Sequence, residues 1–169
     1  MSGPRILVAG VGNIFLGDDG FGVEVAARLA HEPPTDRVKI ADFGIRGVHL
    51  AYELLDGYET LVLVDAISRG DPPGTVSVLE APTGPDEGSG GDGVLEAMDA
   101  HGMQPAAVLA MLSDLGGRLD RVLVIGCEPA DVTEGIGLSP AVSAAVGVAV
   151  DAVREVIASL VDEVKEGMP

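Results

Sequence analysis

Four carboxylates, one imidazole and one thiol stand out by type and position in this 169-residue chain. Asp18 and Asp19 lie side by side in the glycine-rich stretch Gly10–Gly22. Asp65 ends the apolar run Leu-Val-Leu-Val, Glu128 follows the lone Cys127, and His101 stands isolated ahead of Pro105. Two adjacent acids opening a helix have an ordinary structural explanation, because the helix dipole and its free N–H groups favour negative charge there. Asp65 by itself suits a turn, and His101 by itself suits a solvated loop. Taken together, carboxylates at the ends of neighbouring strands and an imidazole entering from a loop form a mixed oxygen and nitrogen donor set. Such a set suits a borderline divalent metal such as nickel or zinc better than calcium.

Other chemistries fit poorly. In Gly10-Val-Gly-Asn-Ile-Phe a dinucleotide fingerprint needs its third glycine where Phe15 stands, and Asp18 and Asp19 would repel a pyrophosphate. No Gly-Lys-Ser/Thr follows for a P-loop, no His-Glu-x-x-His exists for a zincin, and no Gly-x-Ser-x-Gly for a nucleophile elbow. Cys127 follows a buried strand, where a lone cysteine is more often structural than nucleophilic. Asn13 is expected to brace its loop through side-chain hydrogen bonds. His31 lies beside Glu32 and two prolines and is expected to be exposed; His49 opens a helix and is given no ligand role.

The elements that must position these groups alternate. Arg5–Ala9, Arg37–Phe43, Thr60–Asp65, Thr75–Leu79 and Arg121–Gly126 read as strands. Phe21–His31, Val48–Leu55, Pro105–Leu115 and Pro140–Val164 read as helices. In the last helix Val142, Val146, Ala149, Val153, Val156 and Leu160 make one apolar stripe. Only nine residues, Ala66–Gly74, separate two of the strands. That is too short for a parallel crossover, so Thr75–Leu79 is expected to run antiparallel. Ala81–Gly93, with five glycines, two prolines and three acids, reads as a mobile loop. The expectation is a single three-layer α/β/α domain over residues 1–169, with a mostly parallel twisted sheet of about five strands. Function in such a sheet gathers at the carboxyl ends of the strands. Those ends are Gly10–Gly22, Phe43–Gly47, Asp65–Gly70 and Cys127–Gly137.

Composition narrows the partners. Ten Lys and Arg against 27 Asp and Glu give a net charge of −17. Such a field repels nucleic acid and anionic membrane surfaces. Three Phe, two Tyr and no Trp leave no stacking platform for single strands. One cysteine excludes an intramolecular disulfide. The longest apolar run, Ala141–Val150, is far short of a bilayer span. A cytoplasmic, reducing setting and a monomer are expected.

Gly-Val-Gly-Asn-x4-Asp-Asp-Gly-x-Gly (10–22), Val-Asp-Ala (64–66), the isolated His101, and Gly-Cys-Glu-Pro with Gly-Ile-Gly-Leu-Ser-Pro (126–140) resemble the [NiFe]-hydrogenase maturation proteases. The resemblance runs over nearly the whole chain, in order and spacing. It implies an aspartic-type endopeptidase that trims a C-terminal extension from the nickel-loaded precursor of a hydrogenase large subunit. The alternative is a non-enzymatic metal- or partner-binding maturation chaperone of the same fold. By motif, the family's metal-contacting acids and histidine fall on Asp19, Asp65 and His101, with Asp19 and Asp65 also the catalytic pair. The nickel is expected to be the substrate's. Two carboxylates can activate water as a dyad sharing a proton, or they can anchor that nickel. With Asp19 assigned to metal, Asp18 is expected to cap the helix, accepting from Gly20 or Phe21 N–H.

Overall fold

Side chains alternate strictly along the central strands, and that alternation builds two cores. From β1 (Ile6–Val11), Ile6 and Val8 face one way while Leu7, Ala9 and Val11 face the other. The next central strands repeat the division, with Val62 and Val64 opposed to Leu61 and Leu63, and Leu123 and Ile125 opposed to Val122 and Val124. Both faces need covering, so each receives a layer of helices. The computed structural model describes residues 5–33, 35–83 and 104–166, with side chains as far as residue 162.

The remaining elements are α1 (Phe21–Leu29), β2 (Val38–Gly44), α2 (Gly47–Leu54), β3 (Thr60–Ala66), β4 (Val76–Ala81), α3 (Pro105–Asp114), β5 (Arg121–Cys127) and α4 (Pro140–Glu166). The strands form one sheet in the order β2-β1-β3-β5-β4. The first four of these are mutually parallel; β4 pairs antiparallel with β5, as its short connection requires. Helices α1 and α4 cover one face, where Phe21, Val25, Val142, Val146 and Val153 are buried. Helices α2 and α3 cover the other, through Leu50, Leu54, Val108 and Leu112. The expected α/β/α layering and the mostly parallel five-stranded sheet are both present. The stripe on α4 is buried as its period demands, with Val156 only partly covered.

Two local readings change. A short 3₁₀ turn, Gly17–Gly20, precedes α1, so the two acids sit in that turn and not in the helix. Ala81 belongs to β4, so it does not open a loop. The remainder of the loop assigned to Ala81–Gly93, from residue 84 on, lies outside the described residues, as does His101.

β1 lies between β2 and β3, so the chain leaves it in one direction and returns on the other side. The carboxyl ends of β1 and β3 are therefore the topological switch point, where an open α/β sheet forms its crevice.

Candidate active site

Asp65 is the sixth residue of β3 and pairs in register with Gly126 of β5. Its side chain is 4% exposed, and its Oδ1 accepts the N–H of Ala66 at 2.8 Å. Burial first, and the neighbouring charge of Asp19 second, push this carboxyl well above the usual carboxylate range; the Ala66 N–H pulls the other way. Asp19 arrives from the 3₁₀ turn and is also buried. Its Oδ2 accepts the N–H of Asn13 at 2.8 Å. Asn13 in turn accepts the N–H of Phe15 through Oδ1 at 2.9 Å, which is the loop-bracing role expected of it.

Gly12 is where the Asp19 backbone passes the Asp65 carboxylate. A Cβ there would overlap the backbone carbonyl of Asp19 and stand 3.0 Å from Oδ1 of Asp65, and the φ of +130° is one that side chains rarely adopt. Gly22 works similarly one turn on, since a Cβ would overlap the carbonyl oxygens of Val64 and Val11. The glycine pattern that mimics a nucleotide loop thus serves close packing. It lets the acid-bearing turn and α1 rest directly on the ends of β1 and β3.

Asp18 does not cap α1. The helix has no side-chain cap. The fully buried Asp18 carboxylate instead reaches across to the loop after β5. Its Oδ2 accepts Ala130 N–H at 2.8 Å, Asp131 N–H at 3.0 Å and the Ser139 hydroxyl at 2.9 Å; its Oδ1 accepts Ser139 N–H at 2.6 Å. Burial alone would raise this carboxyl, but the hydrogen bonds from Ser139, Asp131 and Ala130 outweigh it and hold the group below its ordinary value. Backbone bonds between the same loops, Asp18 N–H to Asp131 C=O and Gly17 N–H to Gly135 C=O, each 2.9 Å, complete the clamp. Glu128 braces the loop after β3, accepting Arg69 N–H at 2.7 Å and Asp71 N–H at 3.1 Å.

The structure thus brings Asp19 close enough to Asp65 for their charges to interact. Among the described residues, no three His, Cys, Asp or Glu side chains are placed to hold a metal ion. Two buried carboxylates whose charges interact are donors a dication favours, and a third donor would have to come from outside the described residues. His31 and His49 are both exposed. Cys127 is buried, and burial, then the charges of Asp18 and Glu128, push its thiol up to about 11. It is therefore a neutral packing group at physiological pH, not a thiolate nucleophile. A groove of about 760 Å³ lies at the other end of the sheet, lined by Leu29, Pro33, Val38, Arg154 and Ile157, and contains neither acid.

A doubly wound α/β sheet with paired buried acids at its switch point defines an α/β enzyme scaffold with an acidic centre. The chain belongs to the hydrogenase maturation protease family, whose model matches residues 23–156. It is 36% identical over 133 residues to a hydrogenase expression/formation protein of Rhizobium leguminosarum, covering 78% of this chain and 62% of that relative's length. It is 33% identical over 158 residues to a putative hydrogenase maturation protease of Methanocaldococcus jannaschii, covering 93% and 96% of the two chains. The solved hydrogenase maturating endopeptidase of Escherichia coli superposes with a TM-score of 0.74 at 28% identity, covering 92% of this chain and 93% of that one. No helix among the described residues is long and apolar enough to cross a membrane.

Proposed function

We propose that this chain is the endopeptidase that removes a C-terminal extension from the nickel-loaded precursor of a [NiFe]-hydrogenase large subunit. The observation that carries the reading is a pair of buried acids, Asp19 and Asp65, close enough for their charges to interact, at the switch point of the sheet. Family membership favours this enzyme over a non-cleaving chaperone of the same fold.

The substrate's nickel is the partner for the acid pair. Asp19 and Asp65 are the two carboxylate ligands assigned to it, and His101 is the third. Asp65 is buried beside a like charge, so an incoming dication relieves the repulsion that otherwise favours its protonated form. Once the nickel is anchored, the scissile peptide is fixed over the acidic centre. Hydrolysis adds water to its carbonyl carbon, and the amine of the extension leaves with a proton.

The same burial favours a second, aspartic-type reading. A carboxylic acid and a carboxylate held side by side can share a proton and activate water directly. The two readings differ in what they require of the substrate. Incubating the chain with nickel-loaded and nickel-free precursor, and weighing each product, separates them. Mass loss only from the loaded precursor supports nickel anchoring, and equal loss from both supports the dyad. A stable complex with no loss from either overturns the endopeptidase reading.

A further inference from the structure

Ten large apolar side chains are exposed among the described residues; four of them stand on the loops around the acid pair and a fifth, Val48, in the first turn of α2 beside them. Ile14 and Phe15 follow β1, Ile45 and Val48 follow β2, and Ile136 follows β5. Phe15 is 60% exposed and Ile136 79%. These loops lie edge to edge. Gly12 N–H donates to Gly44 C=O at 2.9 Å, and Gly135 N–H donates to Phe15 C=O at 2.9 Å. An isolated parallel bridge joins Leu16 to Gly135. The segments that carry these side chains are therefore tied by their backbones into one strip, and the Asp18 clamp fixes its β1 and β5 sides.

Charge sharpens the contrast. The chain carries −17, yet no ionisable side chain occurs in Gly10–Gly17 or in Gly135–Ser139. Arg46 alone interrupts the β2 side, and its guanidinium donates to the carbonyls of Asp42 and Phe43. Exposed Asp131 and Glu134 edge the β5 side, and an apolar centre with a charged rim has the composition of an interface. Asn13 joins this strip to the site directly, because its N–H binds Asp19 and Ile14 follows it in the chain.

We propose that Phe15 and Ile136, flanked by Ile14, Ile45 and Val48, form an apolar docking lip for an uncharged, apolar segment of the precursor next to its cleavage point. This rests on the endopeptidase reading above and adds the surface that supplies affinity for the polypeptide. A second copy of this chain is a poor occupant, because it would set two chains of net charge −17 face to face. A precursor seated here lies beside Asp19 and Asp65.

The test is kinetic. Phe15→Ser, Ile136→Ser and the double variant are compared with wild type on nickel-loaded precursor, with Val148→Ser on α4 as an exposed apolar control far from the loops. KM is expected to rise about tenfold for each lip substitution, with kcat at saturation within about twofold. The control and all melting temperatures should stay at wild-type values. Unchanged KM in the double variant, while wild type cleaves, overturns the lip and leaves the endopeptidase reading standing. Failure of wild type itself to cleave overturns that reading. In that case loss of precursor binding by the double variant still supports the lip, and unaltered binding removes it too.

Discussion

Asp18 and Ser139, 121 residues apart in the chain, are joined twice: Ser139 donates its backbone N–H at 2.6 Å and its hydroxyl at 2.9 Å to one buried carboxylate. The same carboxylate takes the N–H groups of Ala130 and Asp131. It therefore ties the turn that carries Asp19 to the whole loop after β5. A residue that looks like a helix cap is a long-range clamp.

The clamp sets a graded order of stability. Ser139→Ala removes one hydroxyl bond and should cost about 1 kcal/mol. Asp18→Asn should cost more, because an amide turns an N–H towards donors that need an acceptor. Asp18→Ala leaves three part-buried N–H groups and a hydroxyl without their partner, at about 1 kcal/mol for each lost bond. Melting temperatures should fall in that order, by about 2–4 °C per kcal/mol in a domain of this size. An Asp18→Asn protein as stable as Ser139→Ala would mean that the charge contributes nothing.

Much of this fold is legible in the sequence because its strands are buried on both faces. Runs such as Leu61–Val64 are uniformly apolar, and their length and spacing give both strand identity and the alternation with helices. The antiparallel β4 follows from the brevity of Ala66–Gly74 alone. Placing Asp65 at a strand end and Asp19 in the connection that follows β1 is likewise a consequence of topology. The role of Asp18 is not legible, because its partners lie 112 to 121 residues away and no local pattern encodes them. The 3₁₀ turn is hidden for a related reason: Gly-Asp-Asp-Gly before Phe21 has the composition of a helix start. The glycines at 10, 12 and 22 give a visible signal whose cause is close approach of backbones, and only the packed structure separates that cause from phosphate binding.

Tyr58 gives an alkaline limit to stability. It is buried, and its hydroxyl donates to Glu53 Oε2 at 2.7 Å. Burial first, then that bond and the Glu53 charge, push the phenol up to about 12 from an ordinary 10. A raised folded-state value means the stabilisation is fully present below pH 10 and is lost as pH climbs towards 12. The two-unit difference corresponds to about 2–3 kcal/mol. Thermal melts between pH 8 and pH 11.5 should show a steeper alkaline loss for wild type than for Tyr58→Phe. At neutral pH that variant should be less stable by about 1 kcal/mol, from the lost hydrogen bond. Parallel curves for the two proteins would count against the assignment.

Cys127 should be chemically silent. With the thiol raised to about 11, the thiolate fraction at pH 7.5 is minute, and burial blocks access as well. Alkylation of the native protein should be slower than that of the denatured chain by at least about a hundredfold. Cys127→Ala should keep full cleavage, with a stability cost of about 1 kcal/mol for the lost packing. Inactivation by the alkylating agent at the rate of thiol loss in the folded protein would return Cys127 to the list of nucleophiles.

Asp65→Asn separates the site's chemistry from its stability. Asp65 and Asp19 are both buried, and the Asp19 charge disfavours ionisation of Asp65 in the absence of a cation. Asparagine keeps an oxygen to accept the Ala66 N–H and removes the charge. The metal-free variant should therefore melt above wild type at pH 7.5, by a few degrees where the relief approaches about 1–2 kcal/mol. The same substitution takes away one of the two carboxylates assigned to the substrate's nickel, so cleavage of the loaded precursor should fall by at least about a hundredfold. A functional acid that destabilises its own fold combines these two effects, whereas a purely structural acid does not. Differential scanning calorimetry and the precursor mass assay, run on the same preparation, read both. A variant that melts below wild type and still cleaves would show that Asp65 is a structural acid and that the catalytic pair lies elsewhere.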